Sequence, residues 1–390
     1  MTQIIFLLIL ISGSVIGCSL SDRKFEEMLP ITCSGIVTIL FLSGILGGLK
    51  VGVYITIFLA IALWGISLIL LIKKREWKNF VKKFITPGCV VFIFLYFLLA
   101  VLCRDMMASE WDEFSHWADI VKVMVNIDDF GTNPDAGSLF ASYTPGMALF
   151  QYFLQKIYLI IKPQSLFSEW RMYFGYQIFF VSFMMPFLKQ ISFKEPLKIF
   201  LLGTVVWLGP MMIFANIYSS IYIDAILGFV AGAAFATIFT EQNKDWYYDV
   251  YICMSIVMLV LAKDAGMLFA AFLMILYMVD VLYRHNKEHG KKLFFKDIML
   301  KSALSISALA IPKFLWSYNI KVNEVTVAFG NPINISELLR IIMGREPENY
   351  RSSVLELYSI AFLSHKFEIG DTTIEIPYIA LMILLFGIAY

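Results

Sequence analysis

The feature that most constrains this chain is its series of apolar segments, most of them long enough to cross a bilayer. Of its 390 residues, 59% are hydrophobic and only 16% are charged, whereas a soluble domain has about a quarter of its residues charged. The sequence therefore predicts an all-α polytopic membrane protein. The predicted segments run over residues 3–20, 31–48, 51–72, 87–104, 144–161, 172–188, 199–216, 221–240, 247–262, 265–283, 298–316 and 374–390.

The charge and cysteine content exclude several other classes of protein. The net charge is +1, which gives no case for nucleic-acid binding. Five cysteines lie within or at the ends of apolar segments, and none forms a C-x-x-C pair. The sequence thus predicts neither a disulfide framework nor a zinc site.

Basic loops predict the orientation of the chain, because short loops rich in lysine and arginine stay in the cytoplasm. Such loops follow the first segment (Arg23, Lys24), the third (residues 73–83) and the segment 265–283 (residues 284–292). We therefore expect the N-terminus and the loop from Arg104 to Tyr143 to lie outside. Counting spans from the two ends of the chain gives conflicting sides for Asp224, so one of the segments 144–161, 172–188 or 199–216 is expected not to cross.

The most polar and aromatic stretch between apolar segments is Ser109–Asn126. At about 100° per residue it predicts an amphipathic helix lying on the membrane surface. Its polar face would carry Asp112, His116 and Asp119, and its apolar face would carry residues such as Trp111 and Phe114. A structural alternative is open, because Ser109 and Asp112 also match a helix capping box.

Acidic side chains in this stretch are the first candidates for chemistry. Asp112 and Glu113 can supply a general base, a ligand to a divalent cation or a site for a cationic ligand. Neighbouring helical residues diverge by about 100°, so a division of roles is expected rather than a shared proton. His116 can complete a metal set with Asp112 and Glu113 or bind a phosphate, and the alternative is a packed interfacial histidine.

Two further candidates lie at the ends of later segments. Asp224 begins the segment 221–240, where an acid either faces a cavity or caps the helix. Lys263 interrupts two apolar segments, where it can pair with Asp264 or meet a lipid phosphate.

Taken in order, these motifs resemble the GT-C superfamily of membrane glycosyltransferases. The pattern is closest to the bacterial relatives of the protein O-mannosyltransferases and of the lipid A aminoarabinose transferases. The resemblance covers residues 89–283, and it is carried by the Asp112–Glu113 pair, the Y-x-P-G motif Tyr143–Gly146, Asp224 after Tyr218-x-x-x-Tyr222, and the K-x-x-G motif Lys263–Gly266.

The resemblance implies a GT-C-like helix bundle, an active site on the extracytoplasmic face and a sugar donor on a polyprenyl phosphate. The acceptor would be a glycan, lipid or protein of the cell envelope. Asp112 would be the catalytic base or a metal ligand, with Glu113 in support. The residues expected to bind substrate are His116, Tyr143, Asp224 and Lys263. No cofactor is implied with certainty, and a divalent cation is one alternative.

Two other functions stay open from the sequence. One is a transporter or flippase for a lipid-linked glycan, and the other is a membrane assembly factor without chemistry. The expected organisation is an N-terminal region (1–86), a catalytic membrane core (87–317) that includes the outer loop 105–143, and an outer polar region with a last span (318–390). The abrupt end of the final segment suggests a piece of a longer chain.

Overall fold

A computed structural model describes residues 2–288, 291–327, 340, 343, 345, 356, 359, 360, 363, 366–369 and 372–375. Contacts divide the chain into two compact units. The first comprises Met1–Pro210 and Asn216–Ala328, and the second comprises Met211–Ala215 and Phe329–Tyr390. The predicted boundaries at residues 86 and 317 concern function and stay predictions.

The first unit is built of α-helices whose positions follow the apolar segments of the sequence. They are α1 (Thr2–Leu10), α2 (Ser12–Leu20), α3 (Phe25–Ile45), α4 (Leu49–Lys74), α5 (Trp77–Phe84), α6 (Pro87–Leu102), α7 (Asp119–Ile127), α8 (Gly146–Ile161), α9 (Trp170–Met184), α10 (Pro196–Leu208), α11 (Ile223–Thr240), α12 (Trp246–Ala262), α13 (Gly266–Glu288) and α14 (Lys291–Val322).

Six helical spans in the described part of the chain are long and apolar enough to cross a membrane. They are Thr2–Leu20, Phe25–Ile45, Leu49–Lys74, Ile223–Thr240, Gly266–Arg284 and Lys296–Val322. A seventh arises if the amphipathic α5 and the apolar α6, which meet at 53°, form one broken span. These properties are those of a multi-pass membrane protein and confirm the predicted helical class.

One end of the bundle is held by a network of buried charges, and we call it the Arg23 end. Arg23 donates to Glu27 at 2.9 Å and to Asp245 at 2.7 Å, and lies 3.3 Å from Glu241. Lys189 also pairs with Glu241. The network joins the connections before α3, after α9 and between α11 and α12. Breaking one partner of a buried ion pair costs about 3–5 kcal/mol, so this end is fixed firmly.

The opposite end carries the long connection between α6 and α8, and we call it the loop end. Thr132 in this connection donates to Asn319 of α14 at 2.6 Å. The Trp316 indole donates to the carbonyl of Ser142 at 3.0 Å. Lys50, at the start of α4, pairs with Asp128 at 3.4 Å. The start of α4 and the end of α14 therefore meet the long connection here.

Helix α8 begins and ends at the loop end, so it does not cross the bundle. Its first residue, Gly146, packs so closely on the carbonyl oxygen of Leu261 that an added Cβ would lie 2.5 Å from it. Ten residues later, Lys156 donates to the carbonyl of Val125 at 2.8 Å and pairs with Asp128. Segment 144–161 therefore does not run from one end of the bundle to the other, which would account for the conflicting counts of spans.

The core beneath α8 is aromatic. The Phe6 ring lies 5.8 Å from Phe150 and 6.4 Å from Phe174, and Phe174 lies 5.1 Å from Tyr96, between ring centroids. These rings join α1, α6, α8 and α9 into one packed layer. Edge-to-face and tilted ring pairs add roughly 0.5–1.5 kcal/mol each beyond their buried area.

The described part of the second unit includes a short antiparallel hairpin. Strands β1 (Lys366–Ile369) and β2 (Thr372–Glu375) pair with Phe367 opposite Ile374. The predicted last span, residues 374–390, lies outside the described residues apart from its first two positions, which belong to β2.

The placement of α8 predicts which connections are exposed on the same side of a membrane. In a variant lacking the five native cysteines, single cysteines at Asp135 and Gln164 flank α8, and one at Gln242 lies at the Arg23 end. We expect an impermeant thiol reagent to label positions 135 and 164 from one side and position 242 from the other. Labelling of positions 164 and 242 from the same side would contradict a non-crossing α8.

Candidate functional site

The candidate site is organised around the segment Ser220–Asp224, whose first three residues are irregular and whose last two begin α11. Helix α9 holds this segment, and Tyr218 just before it, through two side chains. The Tyr176 hydroxyl donates to the carbonyl of Tyr222 at 2.7 Å, and the Gln177 amide donates to the carbonyl of Tyr218 at 2.9 Å. Backbone groups outside regular structure need such partners when they are buried.

Glu113 ties the predicted helix at Ser109–Asn126 to this segment. Its side chain is fully buried, with 0% exposure. One carboxylate oxygen accepts from the backbone N–H of Ile221 at 3.0 Å. The other accepts from the Tyr173 hydroxyl at 2.7 Å and from the backbone N–H groups of Ser109 and Glu110 at 3.0 and 3.3 Å. With both oxygens occupied, Glu113 is suited to positioning its neighbours rather than to accepting a proton.

The helix that carries Glu113 differs from the predicted regular helix. Residues Glu113–Trp117 form a π-helical turn, closed by a hydrogen bond from the N–H of Ala118 to the carbonyl of Glu113 at 2.8 Å. The regular α-helix α7 begins only at Asp119 and runs to Ile127. The extra residue of a π turn shifts the phase of the side chains. As a result Trp111 and Phe114 are exposed on the surface of the bundle and His116 is buried, so Asp112 and His116 do not share one face as predicted.

His116 faces a small, mostly apolar cavity beside the segment Ser220–Asp224. Its ring lies 4.8 Å from the Tyr143 ring and 4.5 Å from the Trp117 ring, between centroids. Other lining residues include Thr144, Ile221, Ile223 and Ala262. Burial lowers the pKa of His116 to about 4, so the imidazole is neutral at ordinary pH and binds by hydrogen bonding. Its Nδ1 and the Thr144 hydroxyl are buried without a partner in the described structure.

Asp112 precedes the π turn and is exposed at the loop end. Its carboxylate makes no hydrogen bond or ion pair to the described residues. The half-buried Tyr222 interacts with its backbone, and partial burial followed by the charges of Asp112, Glu110 and Glu113 raises the pKa of the Tyr222 hydroxyl. Asp112 is therefore an accessible carboxylate beside the segment Ser220–Asp224.

Asp224 and Lys263 form an ion pair at the mouth of the site. The Lys263 ammonium lies 2.7 Å from the Asp224 carboxylate, and the two side chains are 34% and 58% exposed. Lys263 is not paired with its neighbour Asp264, which instead binds Lys313 at 2.8 Å. Exposed ion pairs are worth about 0–1 kcal/mol, so Lys263 can exchange its partner for a ligand.

The structure thus connects all six predicted site residues to one segment. Glu113 in the π turn accepts from Ile221, and Asp112 just before the turn lies beside Tyr222. His116 and Tyr143 line the adjoining cavity, and Asp224, the last residue of the segment, pairs with Lys263.

The proposed metal set Asp112, Glu113 and His116 does not assemble. Glu113 is saturated by donors and His116 points into the cavity, whereas Asp112 is exposed. No group of three His, Cys, Asp or Glu side chains that could hold a metal ion occurs in the part of the chain that the structure describes.

Two residues of the site were missed by sequence reasoning. Tyr173 binds Glu113 across 60 positions, and no local pattern in the sequence signals that contact. Tyr222 is part of the motif that precedes Asp224, and that motif was the signal available in the sequence. In the structure its hydroxyl lies near the acidic residues Asp112, Glu110 and Glu113.

No known protein-family model, curated protein or solved structure matches this chain. The geometry and chemistry of the site are therefore the basis for the function proposed below.

The hydrogen bonds of Glu113 predict a structural effect that is absent at Asp112. Glu113→Gln places an amide among four donors, so we expect a loss of about 2–3 kcal/mol in the free energy of unfolding. Asp112→Asn alters an exposed group without partners and is expected to stay within about 0.5 kcal/mol of the parent protein. Denaturation of the two variants in the same detergent checks this, and equal stability would remove Glu113 from its positioning role.

The buried imidazole predicts a pH dependence of stability. His116 has an ordinary pKa of 6.5 in the unfolded chain and about 4 in the folded one. Between these values the unfolded state binds a proton that the folded state does not, so stability falls as the pH drops from 6.5 to 4, by at most about 3 kcal/mol. His116→Gln should flatten this part of the profile of unfolding free energy against pH. If His116→Gln has the same profile as the parent protein, burial does not lower the pKa of His116 and the imidazole lies in a polar environment.

Proposed function

We propose that this protein is a membrane glycosyltransferase of the GT-C type. It would transfer a sugar from a polyprenyl-phosphate donor to a glycan, lipid or protein acceptor of the cell envelope. One observation carries the proposal: an accessible carboxylate, Asp112, and an accessible ammonium, Lys263, flank the same short segment at one end of a helical membrane bundle. Glycosyl transfer needs these two charges, a base for the acceptor and a cation for the departing phosphate.

In this proposal Asp112 is the general base. As the acceptor hydroxyl oxygen forms a bond to the anomeric carbon, its proton passes to the Asp112 carboxylate. Glu113 does not take the proton but holds the π turn against Ile221 and Tyr173, which fixes the position of Asp112. The neutral His116 and Tyr143 would contact the sugar or the acceptor by hydrogen bonding and packing.

Lys263 would receive the leaving group. The bond from the anomeric carbon to the phosphate oxygen breaks, and the polyprenyl phosphate leaves with an added negative charge. An ammonium has three donors, of which Asp224 uses one, so two remain for phosphate oxygens. Asp224 would keep Lys263 oriented between turnovers.

The basic residues support an extracytoplasmic location of the site. The loop with Lys83 and the helix end with Arg284 both belong to the Arg23 end. The positive-inside rule would place that end in the cytoplasm and the loop end outside. Membrane lipids would surround the helices, and the lipid-linked donor would reach the site from the outer leaflet.

Two other functions are weaker on the same observations. A flippase for lipid-linked glycans would need ionisable groups near the middle of the bilayer, whereas the ion pair of Asp224 and Lys263 lies at the start of α11 and the end of α12. A non-catalytic assembly factor would have no need for an exposed Asp112 that lacks a partner among the described residues beside the segment Ser220–Asp224.

The proposal predicts that removing the base lowers turnover without harming the fold. Asp112→Asn should reduce sugar transfer by about 10²–10⁴-fold, because positioned acid–base groups contribute that much. Glu110→Gln, which removes an exposed acid two residues away, is the matched control and should keep activity within a few-fold. The assay uses purified full-length protein in lipid with a panel of polyprenyl-phosphate sugars. Turnover of Asp112→Asn equal to that of the control would refute the catalytic assignment.

Measuring the affinity of the same purified protein for the donor separates the role of Lys263 from general charge effects. Lys263→Gln should weaken donor binding by a factor of about ten or more, since a hydrogen bond to a charged group contributes about 1.5–3 kcal/mol. Lys313→Gln removes a similarly exposed ammonium paired with Asp264 and is the control. Equal donor affinity in both variants would assign the leaving phosphate to another group.

A further inference from the structure

A second cationic feature lies at the start of α9, away from the candidate active site. The Arg171 side chain is only 5% exposed, yet no ion pair joins it to a carboxylate of the described residues. Two of its three guanidinium nitrogens, Nε and Nη1, are buried without a hydrogen-bond partner. Its neighbours are the aromatic side chains of Tyr158 and Trp170. A buried guanidinium without a carboxylate beside it is costly, so an anionic ligand would stabilise it.

The other buried arginine of the bundle provides an internal comparison. Arg23 is equally buried, but carboxylates of Glu27, Glu241 and Asp245 surround it. Among the described residues, carboxylates thus accompany the Arg23 guanidinium, whereas none forms an ion pair with that of Arg171.

The surroundings of Arg171 add positive charge. Arg171 lies in the first turn of α9, a helix of 15 residues whose N-terminal N–H groups and dipole attract anions. Its guanidinium stacks on the Tyr158 ring at 3.3 Å from the centroid, and the Lys162 ammonium lies 5.8 Å from the same ring. Lys162 is exposed and forms no described ion pair. The result is a pair of cations around one tyrosine.

Apolar side chains lie next to these cations. Leu166 in the connection between α8 and α9 is 86% exposed, and Ile160 at the end of α8 is also exposed. Trp170 contributes its ring at 4.8 Å from the guanidinium. Exposed aliphatic groups and a tryptophan next to cations are typical of the headgroup level of a bilayer.

We propose that Arg171 and Lys162 form a binding site for the phosphate of an anionic membrane phospholipid. The planar guanidinium suits phosphate oxygens, Lys162 adds a second charge from the exposed side, and the acyl chains pack on Leu166 and Ile160. The Tyr158 ring stacks on a face of the guanidinium, whereas the unpartnered Nε and Nη1 lie at its edge. The site is separate from Lys263 and does not depend on the proposed glycosyl transfer.

Lipid binding to the full-length protein tests the proposal. Purified protein in detergent is titrated with dioleoylphosphatidylglycerol, and bound lipid is counted by native mass spectrometry while thermal unfolding is followed in parallel. Dioleoylglycerol, which has the same acyl chains and no phosphate, is the ligand control. We expect saturable binding of one phosphatidylglycerol with a rise in melting temperature, and no such effect of dioleoylglycerol. Equal effects of the two lipids would overturn the phosphate site.

Two variants assign the binding to these cations. Arg171→Gln and Lys162→Gln should each raise the dissociation constant for phosphatidylglycerol by about tenfold or more. Lys50→Gln, which removes an exposed lysine paired with Asp128 at the same end, should leave it unchanged. Lys162 is exposed, so its variant remains informative if Arg171→Gln does not fold. Unchanged affinity in Lys162→Gln, or an equal loss in Lys50→Gln, would contradict the proposal.

A further arm distinguishes the source of the phosphate. Inorganic phosphate added without lipid should raise the melting temperature only at far higher concentration, because it lacks the acyl chains. If inorganic phosphate stabilises the protein as strongly as phosphatidylglycerol, the lipid assignment is wrong and the site binds a soluble phosphate.

Discussion

The buried carboxylate of Glu113 is the interaction on which the loop end depends. A carboxylate with no exposure would be unstable without partners, and four donors from three parts of the chain surround this one. Removing any one partner element would leave the charge under-satisfied, so the π turn, α9 and the segment Ser220–Asp224 are held together as a unit. The position of Asp112 relative to the ion pair of Asp224 and Lys263 follows from that unit. The hydrogen bonds that stabilise the site are thus concentrated on Glu113, a residue that does no chemistry in the proposed mechanism.

Most of the fold could be predicted from hydrophobic patterning. An apolar run of twenty or more residues has few alternatives to a membrane span. Helices α3, α4, α11 and α13 each begin and end within six residues of their predicted limits. Helix α8 could not be predicted in this way. Its 16 residues are apolar enough to resemble a span, and only the contacts of Lys156 with Val125 and Asp128 show that its end returns to the loop end. Such contacts depend on tertiary structure, about which local composition carries no information.

The candidate site was predicted in its members but not in its arrangement. Sequence motifs identified Asp112, Asp224 and Lys263, and the pairing of the last two across 39 positions became visible only in the fold. The regular periodicity assumed for Ser109–Asn126 placed Asp112 and His116 on one face. A π turn has no simple sequence signature and shifts the phase by about one residue, so that Asp112 is exposed and His116 is buried. The same shift buries Glu113 and leaves Asp112 accessible. It therefore separates two adjacent acids into a positioning group and a free carboxylate, the division of roles that adjacency on a helix had suggested.

The two ends of the bundle differ in how their charges are held, and this difference bears on where function resides. At the Arg23 end the ion pairs are buried and interlinked, so exchanging any partner for a ligand would cost several kcal/mol. At the loop end the pairs of Lys263 and Lys313 are exposed and worth little, and Asp112 has no partner among the described residues. A ligand can therefore displace the pairs of Lys263 and Lys313 at small cost, whereas displacing a partner of Arg23 would cost several kcal/mol. The buried ion pairs of the Arg23 end hold the helices in place, and the exposed pairs of the loop end can exchange a partner for a ligand. This arrangement suits the proposed function, in which the chemistry takes place at one membrane face.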